Sequence, residues 1–168
     1  EDITNASGTS DTKGWSTGVS MVDINNDGLL DIYVCKSASM NNPELRKNKL
    51  FVNQGKNKFI ELAAQYGLDD NSFSNQSYFF DFDNDGDLDM YLVNHRVDWV
   101  NTTRMSAEVQ RNIIPEFSDK FYRNDGSTFT DVTAQAGITN KTWGHSAAVN
   151  DYNGDGWLDI FVCNDFLE

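Results

Sequence analysis

Three acidic segments of the chain share one pattern of oxygen-bearing side chains. Each reads Asp-x-Asx-x-Asp-Gly-x-x-Asp, and they span residues 23–31 (loop 1), 81–89 (loop 2) and 151–159 (loop 3). Calcium takes six to eight oxygen ligands, which a tight acidic loop supplies from side chains and backbone carbonyls. The spacing predicts three Ca²⁺ sites, with side-chain ligands at positions 1, 3, 5 and 9 and a backbone carbonyl at position 7. The predicted ligands are Asp23, Asn25, Asp27, Leu29, Asp31, Asp81, Asp83, Asp85, Asp87, Asp89, Asp151, Asn153, Asp155, Trp157 and Asp159.

These residues fit a calcium loop better than an isolated acidic turn, an EF-hand, or a site for magnesium or zinc. An isolated Asp/Asn/Gly turn is common, but three copies in one register, each with Gly at position 6, indicate a repeated cation site. An EF-hand needs Glu at position 12, where this chain has Val34, Leu92 and Val162. Magnesium avoids all-protein cages, and the absence of His and Cys from the loops disfavours zinc.

The loops also explain much of the acidity of the chain. The formal net charge is −13, and ten of the 26 acidic residues occupy predicted side-chain ligand positions. Three divalent ions add six positive charges and bring −13 to −7. Nucleic acid and anionic membrane surfaces are poor partners for such a chain. No apolar run approaches the roughly 20 residues of a membrane helix, so we expect no membrane insertion.

Short β-prone segments surround each loop and repeat in the same order. The pattern is strand, acidic loop, strand, connection, strand, Asx-x-Gly turn, strand, which is typical of a β-propeller blade of four antiparallel strands. The fold class predicted is therefore all-β, with about two and a half blades. The predicted strands are 18–22, 31–34, 49–55, 59–63, 77–80, 89–93, 120–126, 129–133, 146–149 and 159–162.

The repeats divide residues 1–168 into parts of one propeller domain. We expect the end of a preceding blade at 1–4, a blade at 14–63, a second blade at 73–133 and the start of a third at 142–168. Propellers have ~4–8 blades. We therefore expect the remainder of a larger polypeptide to complete the ring, and assembly of several copies is the alternative.

The second blade is longer because of an insertion at 96–118, where residues 106–114 predict a short helix that Pro115 ends. Insertions in repeat proteins often lie on a binding face, but a tolerated surface loop is the favoured interpretation, since loops accept insertions at little cost.

The cysteines and three aromatic residues occupy repeated positions. Cys35 and Cys163 follow loops 1 and 3 at the same spacing, two repeats apart. A disulfide needs Cα atoms within about 7 Å, so we expect two free, buried thiols. Trp15, Phe73 and Trp143 each lie eight residues before a loop. They predict packing between blades, with stacking on sugar rings as the alternative.

These segments resemble a known family. The loops with their apolar strands, the run Lys120-Phe121-Tyr122-Arg123-Asn124-Asp125-Gly126 and the run 129–138 are similar to FG-GAP/VCBS repeats. Such repeats occur in calcium-binding β-propellers, including integrin α chains and proteins that often carry an ASPIC/UnbV domain. The resemblance implies a Ca²⁺ ion in a hairpin of each blade and a secreted or surface-attached protein. The lengthened second blade departs from the compact repeat.

Two functions follow as hypotheses. The first is a non-enzymatic, extracellular or cell-surface propeller segment that serves adhesion or binds a protein or glycan not identified by the sequence. The second is an accessory or catalytic propeller of a secreted carbohydrate-active enzyme, with a groove lined by Trp99, Trp143 or His145. His95 and His145 occupy non-equivalent positions, and no Ser or Cys lies at a nucleophile spacing, so we do not expect catalysis.

Overall fold

The computed structural model describes residues 1–97, 114–140 and 143–165. The chain is all-β, with 39% of the described residues in strands and 8% in helical turns. Among the described helical elements, two four-residue α-helical turns, α1 and α2, span Thr4–Ser7 and Ala63–Tyr66, and a 3₁₀ turn spans Pro43–Arg46. The described strands are β1 (Trp15–Val22), β2 (Asp31–Ser37), β3 (Lys49–Asn53), β4 (Phe59–Glu61), β5 (Ser74–Phe80), β6 (Asp89–Asn94), β7 (Lys120–Asn124), β8 (Phe129–Asp131), β9 (Gly144–Asn150) and β10 (Asp159–Asn164).

The strands form three antiparallel sheets, as the fold class predicted. The first sheet has the order β1-β2-β3-β4 (blade 1), the second has β5-β6-β7-β8 (blade 2), and β9 pairs with β10 (partial blade 3). Equivalent residues pair in each first hairpin: Val22 lies opposite Asp31, and Phe80 lies opposite Asp89. Each acidic loop therefore closes the first hairpin of a blade.

The first strands of neighbouring blades lie side by side. Thr17 Oγ1 in β1 donates a hydrogen bond to the Ser74 carbonyl in β5 at 2.7 Å. Asn75 Nδ2, also in β5, donates to the His145 carbonyl in β9 at 2.8 Å. Because β1, β5 and β9 are neighbours, the three acidic loops that follow them lie at the same end of the sheets.

Apolar clusters fill the space between the blades. One cluster joins Tyr33 and Leu50 of blade 1 to Met90 and Leu92 of blade 2, all 0% exposed. A second joins Phe80, Tyr91 and Phe121 of blade 2 to Val149 and Ile160 of partial blade 3. Strand β6 is buried along its whole length because blade 2 has a neighbouring sheet on either side.

A helical turn after the fourth strand fixes the spacing between blades 1 and 2. Helix α2 ends at Gly67, whose φ of 74° is left-handed, and a Cβ there would lie 2.8 Å from the Phe129 carbonyl of the next blade. Helix α1 ends in the same way at Gly8, where a Cβ would lie 2.7 Å from the Phe59 carbonyl. Residues 1–3 form no strand, and this turn begins at Thr4 in the segment expected to end a preceding blade.

The repeated aromatic residues pack as part of this architecture where a preceding blade is present. Phe73 is 3% exposed, and the Arg46 guanidinium carbon lies over it, 4.0 Å from the centroid of the Phe73 ring. Trp143 is 7% exposed and lies 5.5 Å from the Arg96 guanidinium. Trp15, which has no such neighbour among the described residues, is 65% exposed.

Both cysteines are free, as expected, but only Cys35 is buried. Cys163 is exposed because its side of partial blade 3 faces no further sheet in the described part of the chain, so the prediction of burial is wrong there. The helix predicted at 106–114 and most of the insertion at 96–118 lie outside the described residues. No helix among the described residues is long and apolar enough to cross a membrane.

Candidate metal centre

The backbone of each acidic loop turns at two left-handed residues. Gly28, Gly86 and Gly156 at position 6 have φ values of 84°, 94° and 89°. Position 4 is also left-handed, at 56° for Asn26, 60° for Asn84 and 77° for Gly154. Asn and Gly are the residue types that tolerate this conformation. The sequence has Asn or Gly at position 4 in all three loops. These residues indicate the second left-handed position, which the predicted ligand pattern does not include.

The first Asp of each loop organises the turn. In loop 2, Asp81 Oδ1 accepts the Asp85 N–H at 3.2 Å and Asp81 Oδ2 accepts the Gly86 N–H at 3.0 Å. Asp23 and Asp151 make the corresponding bonds in loops 1 and 3. The bond from Gly156, with further loop amides, lowers the pKa of Asp151. The backbone amides thus hold the carboxylate at this position toward the centre of the loop.

The ninth residue connects the loop to the third strand. Asp89 is 1% exposed; its Oδ2 accepts the Phe82 N–H at 3.0 Å and its Oδ1 accepts the Asn124 N–H at 2.8 Å. Asp31 makes the same pair of bonds, to the N–H groups of Ile24 and Asn53. Burial raises the pKa of Asp89 to about 6 and also raises that of Asp31. An anion buried in this way calls for a nearby positive charge.

Two asparagines support the loops from outside the ligand pattern. Asn124 Nδ2 donates to the Leu88 carbonyl at position 8 of loop 2 at 3.2 Å, while its Oδ1 accepts the Gly126 N–H at 3.0 Å. Asn53 makes the equivalent bonds to Leu30 and Gly55 in blade 1. The sequence identified both residues only as turn formers, because the partner carbonyl lies more than 20 residues earlier in the chain.

Loop 2 brings three carboxylates together. Asp81, Asp83 and Asp89 each offer an oxygen, and these atoms lie within 4.8 Å of one another. Asp83 Oδ1 is buried and has no hydrogen-bond partner. Burial, with the neighbouring Asp85 and Asp81 charges, raises the pKa of Asp83. A divalent cation bound by oxygen would satisfy the unpaired atom and neutralise the cluster, so the residues fit a calcium ion.

The other predicted ligands lie in the same loops with different immediate partners. Position 3 is Asn25 in loop 1 and Asn153 in loop 3, so those sets offer an amide oxygen in place of a carboxylate. At position 5, Asp85 Oδ1 accepts the Asp87 N–H at 2.9 Å. The equivalent bonds run from Leu29 to Asp27 and from Trp157 to Asp155. Position 5 thus orients the residue whose carbonyl is the predicted ligand at position 7.

Of the residues of the alternative carbohydrate site, the structure describes Trp143 and His145. Trp143 is buried, and Trp99 lies outside the described residues. His145 is exposed, with its Nε2 atom 3.4 Å from Asp165 Oδ1. The ring centroids of His95 and His145 are 5.8 Å apart, and His95 Nδ1 donates to the Gly144 carbonyl at 3.1 Å. This pair lies at the end of the hairpins opposite the acidic loops.

Comparison with known proteins agrees with the repeat architecture. Residues 113–162 match the FG-GAP-like repeat family, a stretch that runs through loop 3. This stretch is therefore an FG-GAP-like repeat, and the resemblance predicted from the sequence is confirmed for these residues. The chain is also similar to cartilage acidic protein 1 of Xenopus tropicalis, with 27% identity over 169 residues that cover 96% of this chain and 22% of that protein. The chain thus spans about a fifth of the length of this curated relative.

Proposed function

We propose that the chain is a non-enzymatic, extracellular β-propeller segment in which each first hairpin holds a structural Ca²⁺ ion. The observation that supports this most directly is the buried, unpaired Asp83 Oδ1 beside the Asp81 and Asp89 carboxylates. Loops 1 and 3 repeat the same backbone turns and the same first-position bonds. The proposal therefore extends to three sites, with the ligands that the sequence pattern gives.

Charge repulsion explains why the loops need a cation. Two carboxylates ~4 Å apart repel by about 4 kcal/mol at an effective dielectric constant of 20. Loop 2 has four carboxylates in its side-chain ligand pattern, and two of them resist ionisation, as the raised pKa values of Asp83 and Asp89 indicate. Calcium suits this set better than magnesium, which keeps several waters, or zinc, which favours nitrogen and sulfur ligands.

The stabilisation fits an extracellular protein. A site filled at 100 times its Kd adds about 2.7 kcal/mol to the free energy of unfolding. Extracellular calcium modules bind with Kd values of roughly 10⁻⁴–10⁻³ M, so millimolar calcium would fill these loops and cytosolic calcium would not. The similarity to a cartilage protein supports the same location.

Two open sheet faces support further blades as partners. Val19 and Met21 of blade 1 are 55% and 56% exposed, whereas Phe79, which corresponds to Met21 in blade 2, packs against the cluster between blades. On the other side, Phe161 is 60% exposed, whereas the corresponding Tyr91 is 4% exposed. We propose that each face packs against another four-stranded blade of the same polypeptide. In this proposal the completed propeller serves adhesion or binds a protein or glycan.

Thermal unfolding with and without calcium tests the proposal. We expect the melting temperature to rise on addition of millimolar CaCl₂ and to return to its original value in excess EGTA. Asp85→Ala removes a ligand from loop 2 and should lower calcium stoichiometry by one. Asp83→Asn gives loop 2 the side-chain composition of loops 1 and 3, and is expected to weaken that site without emptying it. A melting temperature that changes with neither calcium nor EGTA would refute the proposal.

A glycan array and a screen for polysaccharide turnover test the non-enzymatic part. Binding without turnover is the expected result. Turnover that survives purification would favour the carbohydrate-active enzyme.

A further inference from the structure

We infer that loops 1 and 2 bind calcium cooperatively as a pair, whereas loop 3 binds independently of loop 2. This inference rests on the proposed function, since it concerns how the same cation sites influence one another. It follows from two contacts that cross from loop 1 to loop 2 and from the residues that stand at the corresponding positions of loop 3.

The first contact is a hydrogen bond between the two loops. Asn26 Nδ2, at position 4 of loop 1, donates to Asp87 Oδ1, at position 7 of loop 2, at 3.1 Å. Asn26 has a left-handed φ of 56°, so the direction of its side chain depends on the turn that calcium would close. Asp87 supplies the predicted backbone ligand of loop 2. The bond therefore joins the turn of one site to a ligand residue of the next.

The second contact is apolar. Ile24, at position 2 of loop 1, is 3% exposed and belongs to the core cluster between blades 1 and 2. Leu88, at position 8 of loop 2, packs against the same cluster. Asp23, Leu30 and Leu88 also line one cleft between the two blades. Loops 1 and 2 thus share an apolar support as well as a hydrogen bond.

Loop 3 has residues that cannot repeat these contacts with loop 2. The counterpart of Asp87 is Trp157, whose indole is only a hydrogen-bond donor and cannot accept from Asn84. The counterpart of Leu88 is Leu158, which is 40% exposed and lies outside the core clusters of the described residues. The pair formed by loops 2 and 3 therefore has neither link.

The sign of the coupling follows from ordering. A cation in loop 1 fixes the turn that carries Asn26 and holds this side chain in position to bond Asp87. Loop 2 then loses less conformational entropy when it binds its own cation, which gives positive cooperativity. Linkage requires the effect to be reciprocal. One exposed hydrogen bond supports a change of about 2–5-fold in calcium affinity.

Calcium titration followed by NMR resolves the sites, because each loop has one position-6 glycine whose amide reports on it: Gly28, Gly86 or Gly156. In the wild-type chain we expect Gly28 and Gly86 to respond together. Asn26→Gly introduces the residue that loop 3 has at this position, and keeps every predicted ligand. It should weaken calcium binding at Gly86 about 2–5-fold and leave the response of Gly156 unchanged. Asp87→Leu, which copies Leu29, should have the same effect on Gly28.

Asn84→Gly is the matched control: Asn84 is the loop 2 counterpart of Asn26, and loop 3 has Trp157 in place of the acceptor Asp87, so this change should not alter binding at Gly156. Without calcium, the Asn26 side-chain amide protons should exchange with solvent more slowly in the wild type than in Asp87→Leu. Equal Gly86 affinity in wild type and Asn26→Gly would overturn the coupling while leaving the proposed function intact. The coupling would also be overturned if Asn84→Gly lowered calcium affinity at Gly156 as much as Asn26→Gly lowers it at Gly86. If none of the three glycine amide signals changes on addition of calcium, the proposed function itself is overturned, and the coupling with it.

Discussion

Substitution of one buried carboxylate should stabilise the chain at neutral pH. Asp119, just before β7, is 0% exposed, and it accepts hydrogen bonds from the Tyr91 hydroxyl at 2.8 Å and from the Asn94 N–H at 2.7 Å. Burial raises its pKa to about 6. Two neutral donors do not replace the hydration that a carboxylate loses on burial, so the folded state is less stable when Asp119 is ionised.

Blade 1 already contains the amide version of this site. Asn48 occupies the position equivalent to Asp119; its Oδ1 accepts the Lys36 N–H at 2.7 Å and its Nδ2 donates to the Tyr33 hydroxyl at 3.0 Å. The Tyr33 hydroxyl in turn donates to the Leu68 carbonyl at 3.0 Å. Asp119→Asn can therefore adopt a hydrogen-bonding arrangement that the same fold uses one blade earlier.

The expected change in the free energy of unfolding follows from the pKa of Asp119 and from one hydrogen-bond partner that the variant amide lacks. The difference between a pKa of about 6 and the ordinary value of 3.8 corresponds to about 3 kcal/mol, at about 1.4 kcal/mol per pH unit. Asn48 also donates to the Ser74 hydroxyl, but blade 3 has Gly144 at the position of Ser74. One amide proton of the variant lacks that partner, which costs about 1 kcal/mol. We expect a net gain of about 1–2 kcal/mol at pH 7.5.

Urea unfolding at saturating calcium, followed by tryptophan fluorescence, measures the difference. Because the folded pKa is raised, the penalty from Asp119 is absent below pH 4, grows between about pH 4 and pH 6, and is complete at pH 7.5. The advantage of the variant should follow the same course. Asn48→Asp, the reverse change in blade 1, should lose stability at pH 7.5. A gain that is equal at pH 4 and pH 7.5, or no gain at either, would refute the reasoning.

Three further outcomes are expected. Gly67→Ala should cost at least about 2 kcal/mol and Gly137→Ala about 1 kcal/mol in urea unfolding, since both glycines have a positive φ but only Gly67 lies against a carbonyl of the next blade; equal costs would contradict that contact. Cys163 should react at once with a thiol reagent, and Cys35 only after unfolding, since it is buried with a pKa of about 12; rapid reaction of both would contradict this. Calcium affinity at loop 2 should fall below about pH 6, where Asp89 binds a proton that competes with the cation; an affinity that is equal at pH 7.5 and pH 5.5 would count against Asp89 as a ligand.

The strand order and the acidic loops could be predicted from the sequence because both are local repeated patterns. Alternating and apolar segments flank each loop, and all three first hairpins formed there. The bounds differ in both directions: β1 begins at Trp15 rather than at 18 because it pairs with β2 beyond a bulge, whereas β3 ends at Asn53 rather than at 55. Sheet neighbours decide where a strand ends, and they are distant in sequence.

Contacts between blades could not be predicted in the same way. Cys163 repeats the pattern of Cys35 yet is exposed, because burial depends on the adjacent sheet rather than on local sequence. Lys36, 2% exposed, forms an ion pair with Asp11, whereas blade 2 has Asn94 at the position of Lys36. The pairing of Asn26 with Asp87 joins residues 61 apart. Each of these needs the stacking geometry as well as the repeat.

The bond between the ninth loop residue and the third strand has a consequence for the order of folding. Asp31 Oδ1 accepts the Asn53 N–H from 22 residues further along the chain. The first hairpin alone therefore lacks a group that orients Asp31, its last predicted ligand. A blade emerging from the ribosome or a translocon would hold calcium firmly only once Lys49–Asn53 had docked as β3. A fragment that ends before Lys49 should accordingly bind calcium more weakly than one that ends after Glu61. The ion would then stabilise a sheet that has already formed rather than nucleate its folding.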